Sequence, residues 1–310
     1  MTVLRLATRG SDLARAQSLM VASSIQRITR RATELVIVET AGDQNTDVPL
    51  AELGAVGAFT TEVQRAVLDG RADFAVHSLK DLPATQVPGL CCAAIPKRED
   101  TADWLIARKG AFVEPDEGTG FLPLGRAAVV GTSSVRREAF LKAMLPHAQA
   151  RLLRGNVPTR IQRLSDGAYD AILLAGAGLL RLQSDLNGLS HARLDPLIWP
   201  GAPGQGAIAI ECREDDAETT ELLQATHHSD SATTVAAERR LLRLLGGSCG
   251  LPLGATASIE DETIHLVAAL GPTDNNWEGL RRADVSGQTA TEAADRAFAA
   301  LTDSELPCER

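Results

Sequence analysis

Three segments of the chain share one pattern: a short apolar run, a turn carrying arginine and small polar residues, then apolar residues at helical spacing. They are VLRLATRGSDLARAQ (3–17), AAVVGTSSVRREAF (127–140) and ARLLRGNVPTRIQRL (150–164). A strand that passes through a tight turn into a helix has to lay that helix back on its sheet, so the repetition commits the chain to α/β layers. Further strands are expected at ELVIVET (34–40), ADFAVHS (72–78), YDAILLA (169–175) and AIAIEC (207–212), with a helix at TTEVQRAVLDG (60–70), all in mostly parallel sheet. From about residue 216 the rhythm changes. Two helical runs, AETTELLQAT and SATTVAAERRLLRLL, precede strands LPLGATAS, TIHLVAAL and LRRADVS and a last helix that Thr289 and Glu292 open as a capping box. This reads as a separate α+β domain with an antiparallel sheet. A chain of 310 residues has room for two or three such cores.

The first 17 residues contain no apolar leader, and the longest apolar run, AILLAGAGLL, is about half of what a membrane span needs. A cytoplasmic protein without a membrane partner is expected. Five cysteines form neither a disulfide framework nor a metal-binding spacing, so reduced thiols and no metal are expected. Aromatic residues make up only 3% of the chain, which removes the stacking platforms that single-stranded nucleic acid requires.

Charge is unevenly spread. Between Arg126 and Arg163 eight Lys/Arg face one acid, Glu138, for a local net of +7 inside a chain of net −9. Such a block in an acidic protein suggests a site for an anionic ligand. Its placement agrees, because hydroxyl-rich strand-to-helix turns present free N–H groups and the positive end of a helix dipole. Thr132 and Ser133 with Arg136 and Arg137 make one such turn; Arg154, Gly155, Asn156 and Arg160 make a second; Arg9, Gly10 and Ser11 make a third. In open α/β sheets ligands bind at the carboxyl ends of strands, so three basic turns there imply one polyanionic ligand. No G-x-x-x-x-G-K-[ST] or G-x-G-x-x-G pattern occurs, which disfavours a nucleotide.

HSLKD (77–81) ends another strand at the same edge. Ser78 and Lys80 suit the anion; Asp81 would repel it and is a candidate for stabilising positive charge or moving a proton. A surface Lys80–Asp81 pair is the plain alternative, and His77 is read as a buried, hydrogen-bonded residue. GGSCGLPLG (246–254) sets Cys249 in a glycine loop that presents a thiol, although a cysteine alone is more often a small buried hydrophobe.

Taken together and in order, ATRGSDLARAQ, AVHSLKDLP, PKRED, VGTSSVRR, LRGNVPTR, YDAILLAGAGLLRL, PGQGAIAIECR and GGSCGLPLG resemble the hydroxymethylbilane synthase (porphobilinogen deaminase) family over residues 3 to 300. The resemblance implies two α/β domains like those of periplasmic binding proteins around a cleft, at 1–97 with about 202–215 and at 98–201, and an α+β domain at 216–310. It implies a monomeric transferase of porphyrin and heme biosynthesis that condenses four porphobilinogens into a linear tetrapyrrole. It assigns Cys249 as the thioether anchor of a dipyrromethane cofactor and Asp81 as the catalytic carboxylate. Ser78, Lys80, Thr132, Ser133, Ser134, Arg136, Arg137, Arg154 and Gly155 match cofactor-binding positions, and Arg9, Ser11, Arg160 and Arg181 substrate-binding ones. Val56 and Thr61 depart from the family, which carries lysines there, and Ser248 stands where it has glycine. The competing readings are a non-catalytic paralogue that binds polyanions or tetrapyrrole precursors, which needs neither Asp81 nor Cys249, and a nucleic-acid binder, which the acidic remainder of the chain opposes.

Overall fold

A computed structural model describes residues 3–40, 60–113, 122–125, 127–247, 250–272 and 279–303. Strands β1 (Leu4–Arg9), β2 (Thr33–Val38), β3 (Phe74–Ser78), β4 (Leu90–Ala94) and β10 (Ile208–Arg213) form one sheet in the order β2-β1-β3-β10-β4. Strands β5 (Asp103–Arg108), β6 (Val129–Thr132), β7 (Gln149–Leu152), β8 (Ala171–Ala175) and β9 (Leu189–Arg193) form a second, in the order β7-β6-β8-β5-β9. The two orders are one topology used twice. In each, the first strand of a parallel trio lies between the other two, and an antiparallel strand pairs the third strand to the last.

The expectation of mostly parallel sheet is corrected by this arrangement, since each five-stranded sheet has two parallel and two antiparallel pairings. The reason is that the chain crosses between the sheets twice. After β4 it lays down β5 in the second sheet, and after β9 it returns to lay down β10 in the first. Strands β4, β5 and β9 were not read from the sequence, because none is followed by the strand–turn–helix pattern.

The helices are α1 (Asp12–Thr29), α2 (Thr61–Leu68), α3 (Val135–Met144), α4 (Val157–Ser165), α5 (Gly176–Arg181), α6 (Ala217–Gln224), α7 (Ser229–Leu244) and α8 (Ala290–Thr302). Side-chain caps set their starts. Ser11 accepts from Ala14 N, Ser134 from Arg137 N and Asn156 from Thr159 N. At α8, Thr289 accepts from Glu292 N, while the Glu292 carboxylate takes the N–H of Gln288, one residue before the expected partner. The last three strands, β11 (Leu253–Glu260), β12 (Thr263–Leu270) and β13 (Arg281–Gly287), form an antiparallel sheet covered by α7 and α8 around Leu241, Leu266 and Leu301. In the second sheet Trp199 and Phe140 are fully buried and meet edge to face at 5.3 Å, in a core that also takes in Ala269 and Leu280 from the C-terminal unit. Among the described residues no helix is long and apolar enough to cross a membrane.

Candidate active site

Strand β1 runs on to Arg9, and β6 to Thr132, so both residues end strands where the sequence had suggested turns. Their positions at the strand ends bring the predicted residues to one edge. Arg9, Ser11, Gln17, His77, Ser78 and Asp81 line a cleft of about 450 Å³, walled on its apolar side by Leu13, Val63 and Val76. The Ser78 hydroxyl is engaged by buried Gln17, whose Nε2 donates to it at 2.9 Å. After β3 the chain makes a 3₁₀ turn, Leu79–Asp81. That turn leaves Asp81 exposed on the cleft wall and tucks Lys80 half-buried beneath. Asp81 makes no hydrogen bond or ion pair among the described residues.

Lys80 Nζ donates to Gln205 Oε1 at 3.3 Å, and Gln205 Nε2 donates to Asp103 Oδ1 at 2.9 Å. Asp103, fully buried, is the hub of the interior. It also accepts from Arg136 Nη2 at 2.7 Å, from Arg137 Nε at 3.1 Å and Nη2 at 2.7 Å, and from Trp199 Nε1 at 2.9 Å. Burial alone would push its carboxyl up; Arg136 and Arg137 outweigh that and hold it far below the ordinary carboxylate range. Arg136 and Arg137, read from the sequence as forks at a turn, thus meet a buried carboxylate at that turn. Both are buried, and they share one carboxylate, which leaves a single uncompensated positive charge from the pair.

Positive charge accumulates around them. Burial pushes Lys80 down to about 8, with Arg137 and Arg136 lowering it and Asp81 and Asp103 opposing. Burial also pushes Arg160 down to about 10, reinforced by Arg137, Arg154 and Arg163 with no acid opposing. Arg160 Nε donates to the carbonyl of Gly155, which sits at φ 106 before the Asn156 cap, so the second basic turn is braced internally. Thr132 is buried and accepts from Ser134 N; Ser133 is half-buried beside it. Arg181, on α5, donates from Nη2 to Gly206 O at 2.7 Å. Among the described residues three guanidinium nitrogens, Arg136 Nε, Arg154 Nη1 and Arg181 Nε, are buried without a hydrogen-bond partner. Buried donors are ordinarily paired, so unpaired N–H groups amid mutually repelling cations suit a ligand with several carboxylates. A dipyrromethane bearing acetate and propionate groups has that chemistry.

Ser248, Cys249 and Val56 lie outside the described residues; Thr61 opens α2. His77 is buried as expected, with Nε2 3.2 Å from Glu211 Oε2 but outside hydrogen-bond geometry. Gln64 Nε2 donates to the same oxygen at 2.9 Å. Asp103, Gln205 and Glu211 were missed by sequence reasoning. Gln205 had a signal, a lone polar residue between the glycines of PGQG. A Cβ on Gly206 would meet Glu99 O at 2.5 Å, so that turn packs directly on the crossing segment.

Comparisons with known proteins follow this geometry. Residues 4–221 match the family model described as "Porphobilinogen deaminase, dipyromethane cofactor binding domain", and residues 232–301 match "Porphobilinogen deaminase, C-terminal domain". The chain is 43% identical to the porphobilinogen deaminase of Syntrophobacter fumaroxidans over 93% of its length and 90% of that protein's. It is 41% identical to the porphobilinogen deaminase of Nitrosomonas europaea, over 87% of this chain and 85% of that one. Among solved structures it is similar to the periplasmic VFT2 domain of Bordetella pertussis BvgS, with a TM-score of 0.42 and 16% identity over 76% of this chain and 92% of that one.

Proposed function

The chain belongs to the porphobilinogen deaminase family of transferases, whose cofactor is dipyrromethane, and on that premise we propose that Asp81 is its catalytic carboxylate and Cys249 its cofactor anchor. The substrate is porphobilinogen, joined head to tail with loss of ammonia. When bound, the dipyrromethane would supply the free pyrrole α-carbon that the first unit meets, and the terminal pyrrole of the lengthening chain would supply it for each later one.

What this chain's residues contribute follows from their chemistry. As ammonia leaves the substrate's aminomethyl carbon, positive charge spreads into the pyrrole ring. A carboxylate that accepts the ring N–H stabilises that charge and does so more strongly where the cleft excludes water. Asp81 suits the task because it is the cleft-lining carboxylate without a competing cation bound to it. Lys80 is turned away onto Gln205. Arg9 and Ser11 on the same wall suit the substrate's acetate and propionate, with Arg160 and Arg181 extending that role. Ser78, Lys80, Thr132, Ser133, Ser134, Arg136, Arg137, Arg154 and the Gly155 turn suit the cofactor's carboxylates. Charge-assisted bonds from planar guanidinium groups hold carboxylates in a fixed orientation, which limits where the reacting carbons sit.

The observation that carries the reading is the contrast between the cleft-lining carboxylate at the end of the first sheet's β3 turn and the partly unpaired cations gathered in the second half. The reading also expects a cytoplasmic monomer. Intact-protein mass spectrometry tests the anchor: purified protein is expected to carry the added mass of one dipyrromethane, and Cys249→Ala to carry none and to be inactive. A folded wild-type protein showing only the mass of the bare polypeptide contradicts the reading.

A further inference from the structure

The turn that presents Asp81 is held from outside its own sheet. Arg239, partly buried on α7, donates from Nη1 to Leu79 O at 3.1 Å and to Leu82 O at 3.2 Å, and from Nη2 to Pro83 O. One helical turn earlier on the same face, Val235 is buried against Leu79, Leu82, Ala207 and Ala209. A third contact lies further along. Gly247, at φ 67, approaches so closely that a Cβ there would meet the Ala84 side chain at 3.3 Å. Helix α7 ends at Leu244, five residues before Cys249. The segment 79–84 and the stem of the cysteine loop are thus clamped to one helix.

We propose that Arg239 is a positioning residue, which fixes the Asp81 turn to the helix leading into the Cys249 loop and so sets the carboxylate against the tethered chain. The proposal rests on the roles given above to Asp81 and Cys249. Its physical basis is geometric. Leu79 O closes the 3₁₀ turn by accepting from Leu82 N, the carbonyls of Leu82 and Pro83 follow the turn, and one guanidinium reaches all three with donors in one plane. Lysine keeps the charge but presents a compact ammonium, so it restores only part of that clamp. A misplacement of about 1 Å at a reacting group costs on the order of a hundredfold in rate even when the change lies away from the chemistry.

The test uses cofactor-loaded Arg239→Gln and Arg239→Lys, with loading checked by intact mass. We expect kcat to fall about 10- to 100-fold in Arg239→Gln with KM within about threefold of wild type, and to recover in part in Arg239→Lys. Amide hydrogen exchange across residues 79–84 is expected to quicken at least about tenfold in Arg239→Gln. A kcat within twofold of wild type, or unchanged exchange over 79–84, overturns the proposal. If Arg239→Gln yields no folded holoenzyme, Arg239→Lys decides: slowed turnover with faster exchange supports the clamp, and wild-type turnover overturns it. The exchange readout does not assume a role for Asp81. Normal turnover by Asp81→Asn would therefore sink the catalytic reading while leaving the clamp to be judged separately.

Discussion

The first strand of each parallel trio leads into a helix capped by serine, Ser11 after β1 and Ser134 after β6, with arginine near the cap in both. From that common start the two halves diverge. In the first half Arg9 stays on the cleft wall, and the third strand of the trio, β3, is followed by a 3₁₀ turn that ends on the exposed carboxylate of Asp81. In the second half Arg136 and Arg137 turn inward onto Asp103, and the third strand, β8, runs into Gly176, where a Cβ would meet Trp104 Nε1 at 2.4 Å. Topology supplies both halves with the same launching points; the buried acid beneath one of them decides what each can hold. The first half offers a carboxylate to a developing cation, and the second offers excess positive charge to carboxylates.

Removing Asp103 would break that division most severely. Asp103→Ala strands two buried guanidinium groups and is expected to lower stability by about 3–5 kcal/mol, read by urea denaturation. Removing an uncompensated cation acts on binding instead. Arg160→Gln relieves the repulsion from Arg137, Arg154 and Arg163, so stability should be maintained or rise, while KM for porphobilinogen increases about 10- to 100-fold. A variant of lowered stability whose KM is unchanged would show that Arg160 belongs to the scaffold. The smallest effect is one of pH. Burial lowers Lys80 to about 8, so its charge is present below that value and lost as pH rises through it. Uptake of the dipyrromethane by the apoprotein is therefore expected to weaken about two- to tenfold between pH 7 and pH 9, and Lys80→Arg, charged throughout, should flatten the decline.

Much of this was legible because local signals and the final fold agree. The strands leading into the three basic turns, the helices that follow them, and the gathering of Arg9, Ser11, Ser78 and Asp81 at one edge all follow from the strand–turn–helix pattern. What escaped is non-local. Asp103 opens an apolar strand, and its five hydrogen-bond donors come from residues 33 to 102 positions away, so only the folded chain reveals it as a hub. The antiparallel strands β5 and β10 were illegible as such for the same reason: their direction is set by the crossings between sheets. Arg239 sits in an ordinary amphipathic helix and gains its meaning from the carbonyls opposite.

The division of labour between the halves is tested most directly by steady-state turnover of Asp81→Asn, with each rate normalised to the fraction of protein carrying dipyrromethane. Asparagine keeps the shape of the side chain and removes its charge, so carboxylate binding by the second half is untouched. The expected result is a kcat lowered by about 100-fold or more with KM within about threefold of wild type. A normalised kcat within twofold of wild type would contradict it.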